Sequence, residues 1–147
     1  MNDIDRRILR VLTRDGRIPN TQLADQVGLS PSACLRRVQD LERRGVIRGY
    51  RAVIDPAKTG AGFVAYLMVG LNEHTKTGQE AFERAVRTSP EVRECHNITG
   101  TFEYLLRVEV ADLVAFKRFH TDVVGTIDGV RQIVTHVVMG SPKDDRG

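Results

Sequence analysis

The residues best suited to chemistry in this 147-residue chain are arginines rather than nucleophiles or metal ligands. Residues 1–60 hold 12 Lys and Arg against 7 Asp and Glu, and eleven of those twelve cations are arginine. Residues 61–147 hold 10 against 12, so the overall charge of +3 conceals a basic first part and a slightly acidic second. Arginine presents a planar fork of donors that matches phosphate oxygens and the guanine edge. The asymmetry points to a polyanion partner for the first part alone, although a solvated basic surface explains the charge equally well. Ser32, Arg36, Gln39 and Arg43 recur at the spacing of one helical stripe, with Arg37 to one side and Leu35 to the other. A helix bearing that stripe neutralises phosphates and reads base edges.

Enzymatic chemistry finds less support. His74, His96, His120 and His136 all fall in the second part. Only His96 and His136 are expected as neighbours, on adjacent strands. No H-x-x-x-H or H-E-x-x-H helix is present, nor a nucleophile motif or a phosphate-cradling glycine loop. Gly60-x-Gly62 precedes a strand pattern, which is the wrong context for a dinucleotide site. Cys34 and Cys95 are too few for a disulfide framework or a four-cysteine zinc site, and both read as core residues. Neither metal nor cofactor is expected. The N-terminus is acidic with no apolar signal region, and no apolar run approaches the roughly 20 residues of a membrane helix. A cytoplasmic protein is expected, with no membrane partner.

The elements that must position the arginine stripe follow from periodicity. Ile4, Ile8, Leu9 and Leu12 predict a first helix over Asp3–Arg14, closed by Asp15-Gly16. Pro19-Asn20-Thr21 offers caps for a short second helix with Leu23, Ala24 and Val27 inward. In Gly28-Leu29-Ser30-Pro31, the glycine suits a left-handed helix end, Ser30 an N-cap, and Pro31 a first helical position. The third helix runs to about Arg44 with Cys34, Val38 and Leu41 on its packing face, and the pair makes a helix-turn-helix. Val46–Ile54 is rich in β-branched residues and predicts a strand leading away from this unit. The boundary is placed in the small, flexible stretch around Gly60, giving units of 1–60 and 61–147.

The second unit alternates signals: strand over Phe63–Leu71, helix over Gly78–Arg87, strands over Val92–Thr99 and Tyr104–Val110, a helix capped by Asp112, and a last strand over Val130–Met139. The order β-α-β-β-α-β is the ferredoxin-like unit. Its second sheet face is expected to be open and apolar, inviting a second copy of the chain. The polar tail Ser141–Gly147 suggests no role.

Asp5-x-x-Ile8-Leu9, Asp15-Gly16-Arg17, Leu23-Ala24-x-x-Val27-Gly28-Leu29-Ser30-Pro31 and Cys34-Leu35-x-Arg37-Val38-x-x-Leu41-Glu42-x-x-Gly45-Val46-Ile47 form an ordered set, followed by Thr99-Gly100-x-x-Glu103-Tyr104-Leu105-Leu106. The set resembles the Lrp/AsnC (feast/famine) transcriptional regulators over nearly the whole chain, the N-terminal part being closest to the leucine-responsive branch. The resemblance implies an α+β protein with a winged-helix-like DNA-binding unit joined to a ferredoxin-like effector domain. It also implies sheet-paired dimers that assemble into tetramers or octamers, with an amino acid bound between dimers. Carried over by position, Gly100, Thr101, Glu103 and Thr135 are the effector contacts. Thr101 and Glu103 stand where aspartates are frequent, so the pocket is altered and leucine or asparagine does not follow. On the DNA side, the stripe of the third helix leads to the expectation that Ser30 caps and Ser32 docks that helix, that Arg36 and Gln39 reach base edges, and that Arg37 and Arg43 contact phosphates of double-stranded DNA. The alternatives are a small enzyme on the ferredoxin-like scaffold and a sequence-tolerant nucleoid-type binder.

Overall fold

Asn2 starts the chain's first helix with a reciprocal cap: its side chain accepts from the Asp5 amide, and the Asp5 carboxylate accepts from the Asn2 amide. In the computed structural model, which describes residues 1–144, this helix is α1 (Asp3–Leu12), followed by α2 (Asn20–Val27) and α3 (Pro31–Arg43). Gly28 ends α2 at φ 74°, and the Ser30 hydroxyl accepts from the Ala33 amide at 3.3 Å to begin α3 behind Pro31. The side chain of Asn20 does not cap α2. Its amide instead donates to the Pro31 carbonyl at 2.8 Å, fastening the start of α2 to the start of α3. Ile8, Leu23, Ala24, Val27, Cys34 and Leu41 close into one buried cluster, with Val38 packed against it.

The strand expected over Val46–Ile54 does not form. Among the described residues, no strand pairing includes it, and Val46, Tyr50, Val53 and Ile54 are exposed. Its β-branched composition suits an extended chain, but a strand needs a neighbour to take its amides. Instead the segment folds back at its start, where the Val46 amide donates to the Leu41 carbonyl, and Tyr50 Oη donates to Glu42 at 2.8 Å. Partial desolvation of the hydroxyl, reinforced by that contact with the Glu42 carboxylate, pushes the Tyr50 phenol up to about 12.

The chain divides into units of residues 1–53 and 54–144. In the second, β1 (Phe63–Leu71), α4 (Lys76–Arg87), β2 (Val92–Asn97), β3 (Tyr104–Val110), α5 (Leu113–Asp122) and β4 (Val130–Val137) give the order β-α-β-β-α-β. Thr75 caps α4 and Asp112 caps α5, each accepting from an amide three residues on. The strands form one antiparallel sheet in the order β2-β3-β1-β4. Ala65, Leu67, Val69 and Leu71 of β1 and Tyr104, Leu106, Val108 and Val110 of β3 join Phe82, Val86, Phe116 and Phe119 of the helices in the core. Alternation sends every second residue to the other face.

That other face is more polar than expected. Val64, Tyr66, Met68 and Leu105 share it with Arg107, Glu109, Glu94, His96 and His136, as the cross-strand register requires. Arg107 is buried there, donating to Tyr66 Oη at 3.0 Å and to Glu109 at 3.3 Å, with its guanidinium 5.5 Å from the Tyr66 ring centre. The polar residues come from the strands beside β1. His96 and His136 are not neighbours either, because they lie on β2 and β4, the opposite edges of the sheet. Of the polar tail, Asp145–Gly147 lies outside the described residues.

Candidate nucleic-acid interface and ligand site

The outward stripe of α3 is set by what its inward stripe packs against. With Cys34 and Leu41 fully buried, Ser32, Leu35, Arg36, Gln39 and Arg43 are all exposed. Arg36 and Gln39 make no hydrogen bond or ion pair within the described residues, so their donors face solvent. Ser32 Oγ lies 3.4 Å from Ser30 Oγ, beside the cap. Arg43 pairs with Asp40, which also accepts from Arg44 at 3.1 Å. The two arginines, Arg44 foremost through its hydrogen bond, hold the Asp40 carboxyl below the usual carboxylate range.

Arg37 is placed differently from its neighbours. Its Nη1 donates to Asp5 Oδ1 at 2.8 Å, with side-chain exposures of 36% for Arg37 and 10% for Asp5. Asp5 heads the Asp5-x-x-Ile8-Leu9 motif, but its spacing gives no sign of a partner on the third helix. One carboxylate therefore caps α1 and, through Arg37, ties the flank of α3 to it. Besides that motif, the signal is an acidic residue on the otherwise apolar stripe of α1, adjacent to Ile4 and three before Ile8. Arg7 adds a second tie, donating to the Gln26 carbonyl at the end of α2 at 3.2 Å.

In the second unit, Gly100, Thr101 and Glu103 lie together in the β2–β3 connection. Gly100 adopts φ 109°, and both it and Thr101 are exposed. Glu103 is buried, and its backbone is pinned from both sides: its amide donates to the Val69 carbonyl, and its carbonyl accepts from the Ile98 amide and the Asn97 side chain. Its Oε2 accepts from the Leu71 amide at 2.7 Å. Oε1 has no well-aligned hydrogen bond, although His74 Nδ1 stands 2.8 Å away on a side chain 75% exposed. His74 was considered only as a possible metal ligand. Gly70 lies beside this point; a Cβ on it would stand 3.1 Å from Arg131 Nη2 and 3.5 Å from Phe102. Thr135 does not join the group within one chain. It lies on β4, two strands from β3, pairs with Leu67 of β1, and shares the helix-covered face.

A groove of about 390 Å³ opens between α4 and β2, lined by Glu83, Val86, Arg87, Cys95, Asn97 and Tyr104. Burial, reinforced by Glu83, pushes the Cys95 thiol up to about 11, which leaves it protonated and a poor nucleophile near neutrality. Tyr104 Oη donates to Glu83 at 2.6 Å, and burial raises that phenol as well. Among the described residues, no three His, Cys, Asp or Glu side chains converge to hold a metal ion. No helix among them is long and apolar enough to cross a membrane.

A helix-turn-helix unit followed by a ferredoxin-like domain is the architecture of a DNA-binding transcription regulator with a ligand-binding domain. Comparison with known proteins agrees with both halves. Residues 1–48 match the winged helix-turn-helix DNA-binding family, and residues 64–147 match the Lrp/AsnC ligand-binding domain. The chain belongs to the Lrp/AsnC family of transcription regulators, which are not enzymes. It is 39% identical over 143 residues to the leucine-responsive regulatory protein of Escherichia coli K12, spanning 97% of this chain and 87% of that protein. Among solved structures, a transcriptional regulator from Neisseria meningitidis in complex with L-methionine superposes with a TM-score of 0.93 at 35% identity, covering 98% of this chain and 93% of that one. An AsnC family regulator from Agrobacterium tumefaciens follows at 0.91 and 33%, covering 98% and 94%.

Proposed function

We propose that this regulator is a cytoplasmic, nucleoid-associated homo-oligomer that reads double-stranded DNA through α3 and responds to an amino acid at the β2–β3 connection. In this reading residues 1–60 form the DNA-binding domain, and residues 61–147 bind effector and assemble copies. Arg36 and Gln39 reach base edges in the major groove, Ser30 and Ser32 seat the start of α3, and Arg43 meets phosphate. Arg37 serves the placement of α3 first and contributes positive charge at its flank. The observation that carries this assignment is the outward stripe on which Arg36 and Gln39 are exposed and unengaged.

Glu103 supports the effector half. Its buried Oε1 is the acceptor best suited to an ammonium group, and Arg131, beside Gly70, offers an opposite charge for a carboxylate. The Neisseria relative is described with L-methionine and the Escherichia coli relative as leucine-responsive, which makes a zwitterionic amino acid the natural class. Thr135, two strands away, serves that site only across an interface between copies. Titration calorimetry with the twenty amino acids tests this directly. At least one is expected to bind the wild-type chain, with roughly tenfold weaker binding to Glu103→Gln, as the loss of a charged hydrogen bond predicts. No binding at millimolar concentration would remove the effector from the proposal and leave the DNA reading standing.

A further inference from the structure

We infer that Leu35 is a specificity-determining residue of the DNA interface, its isobutyl group meeting the C5-methyl of a thymine in the major groove. Leu35 is 46% exposed on a helix whose apolar needs are already met by Cys34, Val38 and Leu41. A single exposed leucine is ordinary on a protein surface. Its neighbours make this one informative. At about 100° per residue, Ser32, Gln39 and Arg43 fall on one line along α3, with Arg36 flanking that line on one side and Leu35 on the other. Leu35 sits in the first half of the helix, one turn beyond the Ser30 cap, where recognition helices of this kind meet base edges.

The chemistry of that surface narrows the occupant. The polar members of the stripe supply donors and acceptors for base edges and phosphates. The major-groove edge presents a single apolar group among the four bases, the thymine methyl. The carboxylate on the same side, Glu42, lies seven residues further on, about 10 Å along the helix, where it accepts from Tyr50. An apolar side chain set among arginines suits a polyanion carrying methyl groups.

Removing the methyl without altering any hydrogen bond is possible by replacing thymine with deoxyuridine. The full chain is first used to select its preferred duplex from a random pool. Each thymine of that duplex is then replaced singly by deoxyuridine, and affinity is measured for the wild type, Leu35→Ala and Leu35→Met. At one thymine per half-site, the wild type is expected to lose roughly three- to fivefold in affinity, the worth of one buried methyl group. Leu35→Ala is expected to lose a similar factor on the thymine duplex and nothing further on the deoxyuridine duplex, while Leu35→Met retains the preference. A selected half-site without thymine, or a replacement that costs Leu35→Ala as much as the wild type, overturns the inference. So does an equal loss by Leu35→Ala on selected and scrambled DNA, which would mark a general packing role. Thermal melting of Leu35→Ala, expected unchanged for an exposed helical leucine, separates that loss from misfolding.

Discussion

Asp5 ties the start of α1 to the flank of α3 through one carboxylate, so its loss is felt at two places. Removing it leaves the Arg37 guanidinium part-buried without its partner and the Asn2 amide without an acceptor. Asp5→Ala is expected to cost about 1–3 kcal/mol, discounted from the fully buried case because Arg37 is partly exposed. Chemical denaturation should show Asp5→Ala and Arg37→Ala to be strongly non-additive; additive losses would mean that the pair is not coupled. Cys95 makes a separate prediction. Burial favours its neutral thiol, so the unfolded chain releases that proton near the ordinary thiol value and the folded chain only near pH 11. The stabilisation is therefore complete below the ordinary thiol value and is lost as pH rises toward about 11. At pH 8 iodoacetamide should modify Cys95 about a hundredfold more slowly than a free thiol, in proportion to its smaller thiolate fraction. Modification at the free-thiol rate would contradict the burial described.

The turn between α2 and α3 determines how α3 is presented. Gly28 holds φ 74°, where a side chain is strained, so Gly28→Ala is expected to destabilise the first unit by about 1–2 kcal/mol. Ser30→Ala should cost about 1 kcal/mol and Ser30→Gly less, because glycine keeps the cap conformation while losing the hydrogen bond. Thermal melting checks both. These features were legible because capping and turn chemistry are local: a glycine, a serine and a proline in sequence are enough. The strands and helices of the second unit were legible for a similar reason, each carrying its own period and, for α5, its own cap at Asp112. The segment 46–54 was not, because β-branched composition records a preference for extended chain and says nothing about the partner that a strand needs. Asp5–Arg37 and Glu103–His74 were hidden differently. They join residues 32 and 29 positions apart, which periodicity does not pair, and Glu103 entered only by resemblance.

At the level of the whole molecule, the proposed function has copies of the chain acting together. The helix-free sheet face mixes Val64, Met68 and Leu105 with the buried Arg107 network, a surface suited to pairing by register as well as by apolar contact. Light scattering on the purified chain should report a dimer or larger assembly, and Met68→Lys should shift it toward monomer; a monomeric wild type would remove the oligomer from the proposal. Dimers joining two recognition helices predict roughly palindromic half-sites about one DNA turn apart, or a multiple of it. Sequence-tolerant binding would use the same arginines without such a preference. The measurement that bears most directly on the central claim is binding to the DNA upstream of the protein's own coding sequence across a salt series, beside a scrambled duplex, for the wild type and Arg36→Ala. Selective binding that weakens steeply with salt, with selectivity lost in Arg36→Ala, is the predicted result. Equal affinity for both duplexes, or no binding to either at low salt, would contradict it.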